Sequence, residues 1–287
     1  MPEAEIEINI NLIRTLIKTQ FPDFLKYKLE FLDEGWDNAM YRLGRKYMVR
    51  VPRRKVADQL MKNEQKWLPF FSEKLPVPIP APVCIGLPGN SYPWHWSIIP
   101  WFDGRSSDLA KPNDFQAETL VGFLKKLHVP APPDVPLNEV RDVPLKIKSP
   151  DVLNRFRRLK KRTNLVTEKI ENIWQAGISA DLNKNKTWIH GDLHPRNIIV
   201  KNGEIKAVID WGDMTAGDPA TDLSSLWMLF EKEIAFNAMK KYGASEDLIK
   251  RAKGWAVFFG AILLDTGLVN SPQHATIGTS VLEKLNK

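Results

Sequence analysis

Apolar residues recur at helical spacing near the start of the chain: Ile6, Ile10, Ile13 and Ile17, with Leu12 and Leu16 beside them. That spacing gathers them on one face and predicts an amphipathic helix over residues 5–19, stopped by Phe21-Pro22-Asp23. The period then shortens. Three short strands are expected near 27–33, 38–43 and 46–51, the last closed by Pro52, followed by a helix from about Val56 to Ser72. Alternating prolines in Leu75-Pro76-Val77-Pro78-Ile79-Pro80-Ala81-Pro82 make an extended connector with little helix-forming capacity. Two more strands are expected near 83–87 and 94–99. From Asp108 the period lengthens again: Phe115, Leu120, Phe123, Leu124 and Leu127 predict a helix ending at His128-Val129-Pro130, where His128 is expected to cap carbonyls. A proline-rich loop covers 130–144, helices run on to about Ala176, and helical stretches near 222–242, 246–265 and 272–285 close the chain. This order predicts an α+β protein with an N-terminal sheet lobe over 1–100 and a larger, mainly helical lobe over 101–287.

One stretch stands apart from this alternation. Trp188-Ile189 and Ile198-Ile199-Val200 are apolar strands bracketing a short polar loop, His190-Gly191-Asp192-Leu193-His194-Pro195-Arg196-Asn197, and Ala207-Val208-Ile209 returns to end at Asp210. The loop brings the carboxylate of Asp192 and the amide of Asn197 into one small space, and Asp210 adds a second carboxylate at the end of the returning strand. That set offers one general base and two oxygen ligands for a hard cation such as Mg²⁺, which takes few carboxylates and completes its shell with phosphate and water. Phosphoryl transfer calls for this combination. A rival chemistry shares the same residues: His190-x-Asp192-x-His194 spaces ligands as some Zn²⁺ sites do, and would suit a metal-dependent hydrolase. Only His95, His128 and His274 remain to complete such a site, and it leaves Asn197 and Asp210 without work.

H-G-D-L-H-P-R-N followed by V-I-D-W resembles the catalytic core of the aminoglycoside phosphotransferase family, small-molecule kinases with a bilobal protein-kinase-like fold. Gly217-Asp218-Pro219-Ala220-Thr221-Asp222-Leu223 matches the structural segment that follows in that family. The resemblance implies that Asp192 is the catalytic aspartate and that Asn197 and Asp210 hold Mg²⁺, with ATP (or GTP) as phosphoryl donor. It also implies roles in the first lobe. Tyr47-Met48-Val49-Arg50-Val51 is similar to the kinase strand that carries the phosphate-binding lysine, which places Met48 over the adenine and Arg50 at the phosphates, paired with Glu64 on the next helix. Ser97-Ile98-Ile99-Pro100-Trp101 resembles the hinge; Pro100 has no N–H, so its neighbours Ile99 and Trp101 are expected to meet the base. The turn Asp33-Glu34-Gly35-Trp36-Asp37-Asn38 has a single glycine, unlike the multi-glycine phosphate loop of protein kinases, and by itself reads as a hairpin turn.

Composition narrows the partners. With 43% apolar and 26% charged residues the chain is globular, and no apolar run reaches the ~20 residues of a membrane span. The start Met1-Pro2-Glu3-Ala4-Glu5 is acidic where a signal peptide is basic, and the single cysteine, Cys84, fits a reducing cytoplasm. Residues 141–170 hold ten Lys/Arg against three Asp/Glu, which accounts for the whole net charge of +7. Aromatic residues for base stacking are sparse there, with only Phe156, so nucleic acid is not an expected partner. The expected substrate is a small hydroxylated molecule. Asp210, Asp213, Asp218, Asp222, Glu231 and Glu233 would suit a cation such as an aminoglycoside, although three of these have other expected roles; macrolides, sugars and amino alcohols remain alternatives.

Overall fold

The structure is a computed structural model and describes residues 3–89, 92–182 and 186–287. Met1 and Pro2, which begin the acidic N-terminal stretch, lie outside the described residues. The chain forms two compact units, Met1–Lys74 with Pro78–Asp103, and Leu75–Val77 with Gly104–Lys287.

In the first unit, α1 (Ile10–Gln20) begins where the Asn9 side chain accepts the backbone N–H of Asn11 and Leu12. That cap starts the helix later than apolar spacing alone suggests; Ile6 and Ile8 pack beside the core without joining it. Ile13, Leu16 and Ile17 are buried against an antiparallel sheet of order β1-β2-β3-β5-β4. Its strands are β1 (Leu29–Glu34), β2 (Asn38–Leu43), β3 (Tyr47–Pro52), β4 (Cys84–Gly86) and β5 (Trp96–Pro100). Side chains alternate along β3, so Val49 and Val51 enter the core while Met48 and Arg50 lie on the other face. α2 (Lys55–Ser72) packs on β3 and β5 and is anchored by Gln65, whose Nε2 donates to the Trp96 carbonyl (2.9 Å) and to Ser97 Oγ (3.1 Å). That anchor fixes the facing of the residue before it, Glu64.

The second unit opens with the two-residue strand β6 (Arg105–Ser106), then α3 (Gln116–Leu127), α4 (Ser149–Lys160) and α5 (Glu168–Ser179). Four short strands follow: β7 (Thr187–Ile189), β8 (Ile198–Lys201), β9 (Glu204–Val208) and β10 (Thr215–Gly217). β6, β8 and β9 form one antiparallel ribbon, β7 and β10 another. Then come α6 (Ala220–Leu229), α7 (Lys232–Tyr242), α8 (Glu246–Asn270) and α9 (Pro272–Asn286).

The single helix expected over 222–242 is two, because Phe230 and Glu231 are extended. Every residue of α6 is buried, whereas α7 buries one face, so a change of direction lets each meet its surroundings. The break exposes the carbonyls at the end of α6, and the buried Lys284 of α9 answers them, its Nζ donating to Met228 (2.8 Å) and Leu229 (3.0 Å). α8 is long and apolar enough to cross a membrane by length and composition, but 72% of its most apolar window is buried inside the protein. It packs against α5, α6 and α9 as a core helix, and α5 and α8 touch at Gly177 and Gly254, where a Cβ on Gly177 would lie 3.0 Å from the Gly254 Cα.

Candidate active site

The polar loop between β7 and β8 is suspended from a single buried carboxylate. Asp222, near the start of α6, accepts the backbone N–H of His190 on Oδ2 (2.7 Å) and of Gly191 on Oδ1 (2.9 Å). His128 Nε2 meets the same Oδ2 at 3.2 Å, and its Nδ1 pairs with the Tyr242 hydroxyl at 2.9 Å. Burial, and then the charges of Asp222 and Asp218, push the Tyr242 hydroxyl up to about 12, so it keeps its proton. His128 does stand at the end of α3, but its side chain serves this network instead of capping carbonyls. A second buried pair braces the same segment: Arg251 of α8 donates to Asp218 at 2.6 Å and 3.2 Å.

Gly191 has φ 85°, a left-handed conformation, and a Cβ there would sit 2.5 Å from the Asp213 carbonyl oxygen. Only glycine passes this point without strain. His190 is buried; its Nε2 pairs with the Ile209 carbonyl (3.0 Å), its Nδ1 accepts the Asp192 N–H (3.3 Å), and its ring packs on Trp211 with centroids 4.8 Å apart. Both of its nitrogens are therefore engaged. No cluster of three His, Cys, Asp or Glu side chains able to hold a metal occurs among the described residues, so His190-x-Asp192-x-His194 is not the ligand set of a Zn²⁺ hydrolase.

Asp192 and Asn197 do come together. Asn197 donates from Nδ2 to the Asp192 carbonyl (2.9 Å) and to Asp192 Oδ2 (3.3 Å), which turns its amide oxygen away from Asp192. The turn between them is pinned by Ser107, whose hydroxyl and backbone N–H both donate to the Pro195 carbonyl, at 2.6 Å and 2.9 Å. Asp192 Oδ1 receives Nη2 of Arg141 at 2.6 Å, and Oδ2 lies 3.3 Å from His194 Nε2. Burial works to raise this carboxyl, but the charge and hydrogen bond of His194 and the Arg141 guanidinium outweigh it and hold the group well below the usual carboxylate range.

Arg141 also grips Asp213, through Nε (3.0 Å) and Nη2 (2.9 Å), and Asn138 donates to the same carboxylate at 2.9 Å. In the sequence Arg141 falls within the basic segment 141–170, with nothing to tie it to Asp192. Its only signal was a cation in a loop without periodicity.

Asp210 differs from all of these. It is exposed, makes no hydrogen bond or ion pair among the described residues, and has φ 64°. Aspartate tolerates the left-handed region better than most residues, but the conformation still costs free energy. A bare carboxylate at Asp210 and an amide oxygen at Asn197 suit the sparse protein share of a Mg²⁺ shell.

In the first unit, Arg50 and Glu64 are both buried, and Arg50 Nη1 donates to Glu64 Oε2 at 2.5 Å. Met48 is half-buried opposite Ile99 in the β3–β5 pair, and Ile99 itself is buried. Trp101 is committed elsewhere: its N–H donates to the Lys46 carbonyl (2.8 Å), its indole N–H to Asp103 (2.9 Å), and the Arg42 guanidinium lies 3.7 Å from its ring centre. Of its two backbone groups, the carbonyl is the one with no hydrogen bond among the described residues. The turn at Gly35 is a hairpin turn, with the glycine N–H spent on the Asn38 carbonyl.

The model of the phosphotransferase enzyme family matches residues 28–255. No curated protein sequence matches the chain significantly. Among solved structures, the GDP complex of wild-type aminoglycoside 2'-phosphotransferase-IIIa is 20% identical with a TM-score of 0.66, covering 97% of this chain and 98% of that one. The streptomycin–ATP–APH(2")-IIa ternary complex is 23% identical with a TM-score of 0.60, covering 90% and 91%. Macrolide 2'-phosphotransferase MphH from Brachybacterium faecium is 17% identical with a TM-score of 0.59, covering 95% and 97%. These likenesses show a shared kinase-like α+β fold, and the match over most of the chain shows that it belongs to the phosphotransferase enzyme family.

Proposed function

We propose that the protein transfers the γ-phosphoryl group of ATP or GTP to a hydroxyl of a small molecule, with Asp192 as the residue that orients the acceptor. The observation that carries this is the Asp192–Asn197 contact, 2.9 Å and 3.3 Å, in a loop whose backbone hangs from buried Asp222. Such a loop holds its carboxylate in place before any substrate arrives. Nucleotide use is supported by relatives solved with GDP and with ATP, and the acceptor class by relatives that are aminoglycoside and macrolide phosphotransferases.

The proposed roles follow from the chemistry each side chain has left to offer. A carboxylate held this low in pKa is a weak base, so Asp192 aligns the hydroxyl and takes its proton late, once the forming oxygen–phosphorus bond has made it acidic. The new P–O bond forms at the acceptor oxygen as the bond from γ-phosphorus to the nucleoside diphosphate breaks, and the hydroxyl proton passes to Asp192. The Asn197 oxygen and the Asp210 carboxylate hold Mg²⁺, which when bound neutralises charge on the phosphates. In the first unit, Arg50 grips phosphate oxygens while Glu64 keeps its guanidinium oriented, and Met48, Ile99 and the Trp101 carbonyl are the base contacts.

The test is a Mg-ATP and Mg-GTP consumption screen over hydroxylated antibiotics, sugars and amino alcohols, with Asp210→Ala as control. Acceptor-dependent release of nucleoside diphosphate, lost in Asp210→Ala, is the expected result. Equal metal-dependent nucleotide binding and turnover in Asp210→Ala would place the metal elsewhere.

A further inference from the structure

Arg141, which holds Asp192, and Lys148 are two cations that phosphoryl transfer does not require. Arg141 spends Nε and Nη2 on Asp213 and Asp192, and its Nη1 donates to no described residue. Its guanidinium carbon lies 5.2 Å from the ring centre of Phe259, a residue of α8. Next along that helix, Phe258 has its ring centre 5.5 Å from that of Phe259, and the Lys148 ammonium lies 5.9 Å from the Phe258 ring. Lys148 is half-buried and forms no hydrogen bond or ion pair with any described carboxylate. Burial lowers its pKa and the charge of Arg141 lowers it further, against a smaller opposing pull from Asp151. An anion received by Lys148 and by Nη1 of Arg141 would offset the burial and repulsion that Lys148 bears.

The carboxylates on this side of Asp192 are already committed. Asp213 holds Arg141 and Asn138, and Asp192 holds Arg141. A polycationic acceptor would have to displace a guanidinium that is largely buried, with 13% of its side chain exposed, from two carboxylates at once. Charge therefore runs opposite to what an aminoglycoside asks for.

We infer that Lys148 and Arg141 form an acceptor subsite for an anionic group, so that the preferred substrate is a small hydroxylated molecule carrying a carboxylate or similar anion near the hydroxyl that is phosphorylated. This deepens the proposed function and rests on it for the meaning of "acceptor", while the anion site itself stands on the geometry of the second unit alone.

The test uses the full-length protein, alone and with Mg-ADP, in thermal-shift titrations at constant ionic strength. The probes are D-glucuronate, D-glucose and kanamycin, which are anionic, neutral and cationic. Glucuronate is expected to stabilise the wild type more than glucose or kanamycin. In Lys148→Gln its apparent Kd is expected to rise about tenfold or more, the scale of one charge-assisted hydrogen bond. Arg141→Gln is expected to weaken it as well; should that variant fail to fold, the half-buried Lys148→Gln keeps the test decisive. Stabilisation by kanamycin equal to or above that by glucuronate would overturn the inference. So would unchanged glucuronate binding in Lys148→Gln, or no stabilisation by glucuronate at all. Failure of Mg-ADP to stabilise the wild type would count against the proposed function while leaving the glucuronate result to judge the subsite.

Discussion

Asp192 sits among three partners, Arg141, His194 and Asn197, on a loop tied by its main chain to Asp222. Asp210, at the end of the neighbouring strand, is exposed, has no partner among the described residues, and stands on a left-handed backbone. The contrast matches what the two proposed tasks demand. A residue that aligns a hydroxyl gains from neighbours that fix its rotamer, whereas a metal ligand must keep its oxygens free and give up nothing to bind the cation. Each arrangement has its own cost: a half-buried charge at Asp192, backbone strain at Asp210.

The largest effect that leaves nucleotide binding intact is expected from Asp192→Asn. The fold and Mg-nucleotide binding should survive, while turnover falls by about 10²-fold or more, the scale of a positioned acid–base group; near wild-type turnover would break the comparison at its first term. The pH dependence has a definite sign. The Asp192 carboxyl is lowered in the folded protein, so its contribution to stability is complete above the unfolded value of about 4 and fades as pH falls through the folded one. Acid denaturation of Asp192→Asn, followed by circular dichroism, should lack that part of the loss.

Asp222→Ala attacks the suspension instead of the reacting group. It leaves two buried N–H donors and His128 without their acceptor and should cost about 3 kcal/mol or more in urea melts. Turnover should drop even where the variant remains folded. Unchanged stability would mean that the loop is held by something other than Asp222.

Arg50→Ala extends the contrast to the first unit, where the Glu64 carboxylate holds a cation. It should weaken Mg-ATP binding about tenfold, and Arg50→Lys should recover part of that, because an ammonium lacks the forked donors. Glu64→Ala should give a milder defect that does not add to Arg50→Ala, as befits two groups 2.5 Å apart. Isothermal titration with Mg-ATP decides it.

Asp210→Gly is the smallest change in stability and the sharpest test of the comparison. Glycine adopts φ 64° freely, so stability should hold or rise, by up to about 1 kcal/mol of relieved strain, while metal-dependent turnover is abolished. A clear fall in Tm would show Asp210 to be a structural residue of its turn.

What could be read in the sequence was local. Asp192 and Asn197 are five residues apart between two apolar strands, and their contact closes within that loop. The pairing of Arg50 with Glu64 follows from strand alternation and one helix laid across the sheet, both visible as periodicity. Arg141 and His128 were missed for the opposite reason. Arg141 sits in a loop without period and meets Asp192 across 51 residues; His128 meets Asp222 across 94. Helix ends erred where caps and buried surroundings outweigh apolar spacing, as at Asn9 and at the break after α6.

The suspension at Asp222 bears on how such an enzyme diversifies. Its carboxylate grips the main-chain N–H groups of residues 190 and 191, so the hook itself depends on no side chain of the loop, while Gly191 is fixed separately by its φ. Drift along the loop can therefore alter side chains that face an acceptor without loosening the hook that aligns Asp192.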